Sequence, residues 1–332
     1  MTKLVLLTDG TGQDGSGDIT NVAKLQDYLS NDDESGQYVC YSPGVGTRLG
    51  EKYEGGIFGA HAFRVIQDHY SWLGRVMGSL EITKSSDVEI SLFGFSRGAF
   101  ISRMIADMLS VCGIPTRSRI ADKMVKLYEA RDEYEIKKIR AACPGDFIDA
   151  NISFLGVWDT VATTMGIDET EYEEVPSIVK AGCHAVAINE SRPKFNYVRM
   201  NLRKNFKEEF FAGCHSDVGG GYGEDQVLSR IAFNWMVLHA KKHGVLFDSM
   251  PEKIKTEEFM AAEPHSEHNS DSNAGGLLGT LTRYVDKNRI NRSVRCLPWD
   301  VLTDEGAPIL SEQLCANYHA YTAAHPHTEN VA

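Results

Sequence analysis

Basic charge is scarce in this chain: 34 Lys and Arg stand against 46 Asp and Glu, a formal net charge of -12. Binding by phosphate neutralisation needs a Lys or Arg for each contact, so nucleic acid is not an expected partner. Long apolar runs are missing as well. No stretch approaches the roughly 20 apolar residues that cross a bilayer. The apolar N-terminal run Leu4-Val5-Leu6-Leu7 is too short for a signal-peptide core, and no small-residue cleavage site follows it. Action on lipid would therefore come from the surface, by peripheral membrane contact. The seven cysteines are an odd number, scattered from Cys40 to Cys315 without a C-x-x-C pair, so neither a disulfide framework nor a zinc knuckle is suggested. H-E-x-x-H is absent too, and no cofactor or metal is expected. A reduced, cytoplasmic setting, or export without a signal peptide, fits this pattern. Nothing in the sequence fixes an oligomeric state.

What is present is enough apolar material for a large core: 42% of the 332 residues are hydrophobic and 24% charged. No repeat and no linker divides the chain, which predicts a single domain over 1–332, with 250–332 as a C-terminal extension or lid. Short apolar runs at Leu4–Thr8, Gln37–Tyr41, Val88–Phe93, Ile152–Val157 and Glu209–Gly213 read as strands. Helical spacing predicts helices over Gly59–Leu80, Ala99–Leu109, Ser118–Ala142, Ser177–Asn189 and Val227–His243, the last stopped by Gly244. Strands alternating with amphipathic helices predict an α/β fold, a mostly parallel sheet with helices on both faces. Ligands bind such sheets off the carboxyl ends of the strands. The strand ends here carry Asp9, Ser96, Asp159 and His215.

Gly94-Phe95-Ser96-Arg97-Gly98 matches G-x-S-x-G with an apolar strand leading in and an apolar helix leading out, the context of an α/β-hydrolase nucleophile elbow. The glycines are needed because side chains there would collide with the neighbouring strand and helix. The competing reading is a serine that merely caps the following helix. A serine hydroxyl needs a base to take its proton, and the chain order of this fold, Ser then Asp or Glu then His, is supplied by Ser96, Asp159 and His215. Asp217 is an alternative orienting acid, and His265 and His268 are alternative bases in a polar stretch read as a loop or lid. For the oxyanion of a tetrahedral intermediate, the expected donors are the backbone N–H of Arg97 and amides of Gly10 and Thr11 in the loop after the first strand. Asp9 and Asp217 are candidate substrate-binding residues. Asp9-Gly10-Thr11 matches part of D-x-D-G-T, but Leu7 stands where a phosphatase needs its aspartate nucleophile.

Six blocks in order, Asp9-Gly10-Thr11, Pro43-Gly44-Val45-Gly46-Thr47, Gly94-Phe95-Ser96-Arg97-Gly98-Ala99, Val157-Trp158-Asp159-Thr160-Val161, His184-Ala185-Val186-Ala187 and His215-Ser216-Asp217-Val218-Gly219-Gly220-Gly221-Tyr222, resemble the type VI secretion phospholipase-effector family of α/β-hydrolases, from roughly Lys3 to Val245. The resemblance implies a Ser-Asp-His triad, carried onto Ser96, Asp159 and His215, and the esterase activity on phospholipid acyl chains of the family's secreted members. The chain lacks an amphipathic helix rich in Lys or Arg, so a soluble acyl ester or thioester is an expected substrate on an equal footing with a lipid ester. A hydrolase fold that only binds or sequesters a ligand, and a metal-dependent hydrolase built on Asp9, Asp159, His215 and Asp217, are the competing functions.

Overall fold

The computed structural model describes residues 1–10, 19–44, 57–162, 167–188, 190, 192, 195–223, 227–254 and 265. Its strands and helices run β1 (Thr2–Thr8), α1 (Asn21–Leu25), β2 (Gln37–Ser42), α2 (Ile57–Ser79), β3 (Val88–Phe95), α3 (Arg97–Cys112), β4 (Ile114–Pro115), α4 (Ala121–Glu129), α5 (Glu133–Ala142), β5 (Phe147–Ile148), β6 (Ile152–Trp158), β7 (Gly182–Ala187), β8 (Phe206–Phe211), α6 (His215–Gly219) and α7 (Val227–Lys242). Six strands form one sheet in the order β2-β1-β3-β6-β7-β8, every neighbouring pair parallel. The short β4 and β5 pair antiparallel in a separate ribbon.

The strand side chains alternate between two cores. Leu4, Leu6, Ile90 and Leu92 pack with α2, α3 and α4 on one face. Val5, Leu7, Phe93, Phe95, Phe154 and Trp158 pack with α1, α6 and α7 on the other. Both faces are therefore covered, as the parallel sheet requires. Strand order reverses between β1 and β3, and the crevice beyond their carboxyl ends is where such sheets bind ligands.

Two expectations are corrected. The helix expected over Ser177–Asn189 is replaced by strand β7. All six residues of β7 are buried, so no half-exposed alternation betrays it, and its alanines favour helix only where packing does not decide. The single helix expected over Ser118–Ala142 is broken into α4 and α5. Arg131 turns the chain at a φ of 55°, and the Asp132 side chain accepts from the Glu135 N–H to start α5 afresh. Smaller shifts move β8 back to begin at Phe206 and start α3 at Arg97. Of the stretch 250–332 read as an extension or lid, only residues 250–254 and 265 are among those described.

Candidate active site

The elbow is built by contact between backbones. A Cβ placed on Gly94 would lie 2.5 Å from the Gly98 carbonyl oxygen and 2.7 Å from Ala99, at the start of α3. One on Gly98 would run into the carbonyl oxygens of Thr8 and Asp9, at the end of β1. With both glycines in place, α3 leaves β3 at once and seats its first turn on β1. Ser96 absorbs the bend at φ 59°, ψ -127°, a region costing on the order of 1–3 kcal/mol for a residue with a side chain. Its hydroxyl makes no hydrogen bond to the α3 backbone, so Ser96 does not serve as a side-chain cap.

That hydroxyl lies 2.8 Å from His215 Nε2. His215 Nδ1 lies 2.6 Å from Asp159 Oδ2. An ionised carboxylate only accepts, so Nδ1 carries the hydrogen and Nε2 presents its lone pair to the serine hydroxyl. All three residues are buried. Asp159 sits directly beyond β6 with its own backbone at φ 38°. Its N–H donates to the Ala185 carbonyl at 2.7 Å, and its Oδ1 accepts from the Ala187 N–H at 2.9 Å, so β7 holds both backbone and carboxylate. The chain between β3 and β6 is tied at the same level, Ser96 donating its N–H to Trp158 and accepting at its carbonyl from Val161.

Two of these positions have rivals elsewhere in the chain. Asp217 turns back onto its own helix start and accepts from the Cys214 N–H at 2.9 Å. It also holds His265, whose Nδ1 is 2.6 Å from Oδ1 and whose ring stacks on Tyr222 at 4.2 Å. Asp217 and His265 thus form a second acid–imidazole pair, separate from the one that reaches Ser96. His268 and Thr11 lie outside the described residues.

Gly10 backs directly onto Ser96, since a Cβ there would lie 3.4 Å from Ser96 Cβ. Its N–H donates to Asp9 Oδ1 at 2.7 Å. The Asp9 carboxylate also accepts from Thr20 and from the Tyr41 hydroxyl, and burial, outweighing these three donors, pushes it up to about 6. Asp9 is 1% exposed, and its oxygens are taken up in bracing the loop after β1. The glycine run after His215 packs on the same elbow: a Cβ on Gly219 would overlap the Phe95 ring, and Gly220, at φ 84°, bridges to Thr20. Among the described residues no group of three or more His, Cys, Asp or Glu side chains could hold a metal ion. Nor is any described helix long and apolar enough to cross a membrane.

Sequence reasoning missed two groups of supporting residues. His184 on β7 is fully buried; the Thr160 N–H donates to its Nε2 at 3.1 Å, which places the hydrogen on Nδ1, 3.1 Å from Glu208 Oε2. Burial pushes this imidazole below its ordinary value and so keeps it neutral. Arg103, also buried, donates to Thr160 Oγ1 at 3.2 Å and to the Arg199 carbonyl at 2.6 Å. Thr160 is therefore held by backbone and side chain immediately after the strained Asp159. The second group is Glu190 with Arg192, an ion pair between a buried carboxylate and a part-buried guanidinium, whose carboxylate accepts from the His215 N–H at 3.1 Å. The block His184-Ala185-Val186-Ala187 marked the first group; no local pattern marks the second, which lies in the segment after β7.

A curated Saccharomyces cerevisiae relative, uncharacterized protein YEL023C, is 24% identical over 222 residues, covering 58% of this chain and 32% of its own. The chain thus spans about a third of that relative. Two solved structures are similar to it, each with a TM-score of 0.45. One is an uncharacterized protein from Pseudomonas aeruginosa, at 19% identity over 74% of this chain and 46% of that one. The other is the Tle1 effector bound to the VgrG spike of the type 6 secretion system, at 20% identity over 67% of this chain and 51% of that one. The family model described as "T6SS, Phospholipase effector Tle1-like, catalytic domain" matches residues 2–239, and the chain belongs to that family.

Proposed function

We propose that the protein is a serine hydrolase that cleaves an acyl ester, a lipid ester being the substrate class its family favours. Ser96 is the nucleophile, His215 the general base and Asp159 the residue that orients and stabilises the imidazole. The observation that carries this reading is the unbroken line from the Ser96 hydroxyl through both His215 ring nitrogens to the Asp159 carboxylate, at 2.8 and 2.6 Å.

In this mechanism Ser96 Oγ attacks the ester carbonyl carbon as its proton passes to His215 Nε2. The resulting imidazolium is stabilised by the buried Asp159 carboxylate. The negative tetrahedral oxygen is assigned the backbone N–H of Arg97, in the first turn of α3. The Gly10 N–H is committed to Asp9 Oδ1 and is not the second donor. Return of the proton to the leaving alkoxide expels the alcohol and leaves an acyl-Ser96 ester. Water, deprotonated by the same imidazole, then releases the acid.

The test is fluorophosphonate labelling together with turnover of a phospholipid and of a short soluble acyl ester. Ser96→Ala should abolish all three without unfolding the protein, and His215→Ala should lower turnover by about 10⁴-fold or more, since triad members act as a unit. His265→Ala should keep turnover within a few-fold of the parent. Labelling of the Ser96→Ala form equal to the parent's would remove Ser96 from the mechanism. Loss of turnover in His265→Ala with retention in His215→Ala would move the base. An unlabelled, inactive parent would favour a binding role for the fold.

A further inference from the structure

A base in this position has to be held from more than its two ring nitrogens. His215 is the first residue of α6, a helix of only five residues. Its N–H therefore has no intrahelical acceptor and, being buried, needs one from elsewhere. Glu190 Oε2 supplies it at 3.1 Å. The Glu190 side chain is fully buried, and a buried carboxylate is tolerated only when paired. Arg192 pairs with it three times: its backbone N–H and Nε donate to Oε1 at 2.8 and 2.9 Å, and Nη2 donates to Oε2 at 2.8 Å. Burial pushes the Glu190 carboxyl up, but the Arg192 bonds and charge outweigh it and hold the group below its ordinary value, so it is ionised. The Arg192 guanidinium in turn lies over the Phe195 ring, 3.6 Å from its centroid. Phe195 closes the circuit, meeting the His215 imidazole edge-on at 4.9 Å. Phe95, from the elbow itself, contacts the same imidazole at 4.5 Å.

We infer that Glu190, Arg192 and Phe195 form a positioning clamp for the general base, holding the backbone of His215 through a carboxylate and its ring through an aromatic edge. The inference rests on His215 being the base proposed above. None of the three residues is assigned a bond to substrate; they act through the orientation of one imidazole. The charged groups disposed around that imidazole are Asp159 beyond β6, Glu190 and Arg192 after β7, and Asp217 on its own helix. Glu190 differs from Asp159 in touching the backbone rather than the ring, so its loss leaves the triad bonds intact in composition but loosens their geometry.

The test compares Glu190→Gln, Arg192→Lys, Arg192→Ala and Phe195→Leu with the parent, reading kcat, KM and the acid limb of the pH–rate profile on a soluble acyl ester. Phe195→Leu should lower plateau kcat by about tenfold with KM unchanged within about twofold and the limb in place. Glu190→Gln keeps the shape but leaves the Arg192 cation uncompensated, so the imidazolium is disfavoured and the limb should move to lower pH by about half a unit to one unit. Arg192→Lys should recover part of the kcat lost in Arg192→Ala. A limb that stays in place in Glu190→Gln, together with a Phe195→Leu kcat equal to the parent's, overturns the clamp. Activity losses that match the fraction of unfolded protein by circular dichroism, with unchanged kcat per folded molecule, overturn it too. In either case Ser96-dependent turnover in the parent keeps the triad standing; turnover that survives Ser96→Ala removes both.

Discussion

Ser96 and Asp159 both hold their backbones at positive φ, where residues with side chains rarely sit. Two strained residues at adjoining strand ends, joined through one imidazole, indicate that packing has fixed the backbone against local preference. The strain at Ser96 has a measurable consequence. Ser96→Gly removes the side chain that makes this φ unfavourable, and should raise stability by about 1 kcal/mol in urea denaturation while eliminating turnover. A glycine variant less stable than the parent would show that the hydroxyl contacts outweigh the backbone cost. The serine and its flanking glycines were legible in the sequence because G-x-S-x-G names its own geometry. Asp159 was legible as a polar residue ending an apolar run. Glu190 was not, because nothing next to it in the chain shows that its partner is the N–H of residue 215.

At the scale of elements, the site depends on how closely α3 can approach β1. Gly98 is the contact point, with the carbonyls of Thr8 and Asp9 against it and no flexible side chain to give way. Gly98→Ala should cost about 2–4 kcal/mol and displace the loop carrying Asp9 and Gly10, lowering fluorophosphonate labelling along with stability. A variant of parental stability would mean that β1 can shift away freely. The strands were readable where an apolar run ended in turn residues, as in β1, β3 and β6. Strand β7 was misread because its small, fully buried residues carry no period. The break between α4 and α5 was missed because Val125 and Tyr128 before it and Ile136 and Ile139 after it keep one helical rhythm, and only the tertiary packing of each half decides where the chain turns.

For the whole molecule, the acidic balance of the sequence conceals a part-buried carboxyl group with a pH signature. Burial pushes Glu209 on the edge strand β8 up to about 7, with Lys207 pulling the other way, and its Oε2 has no hydrogen-bond partner among the described residues. A carboxyl raised in the folded state keeps its proton longer than in the unfolded chain. Its contribution to stability is therefore complete below about pH 4.5 and is lost as the pH rises towards about 7. Glu209→Gln should leave stability unchanged at pH 4 and raise it at pH 8 by on the order of 1–3 kcal/mol, read from urea midpoints at the two values. Equal midpoints for variant and parent at pH 8 would show that this carboxylate is solvated or paired after all. Asp9, raised to about 6, pulls in the same direction, but its three donors make the corresponding amide a less direct probe.

The sequence by itself determined the α/β class and put Ser96, Asp159 and His215 among the candidates for one site, because strand periodicity, turn chemistry and a short motif are local properties of a chain. Which imidazole faces Ser96 and which faces Asp217 could be decided only in three dimensions. So could the strand nature of residues 182–187 and the pairing of Glu190 with the backbone of His215. Each of these turns on contacts between segments far apart in the chain, and the free energy of such a contact depends on burial that no local pattern records.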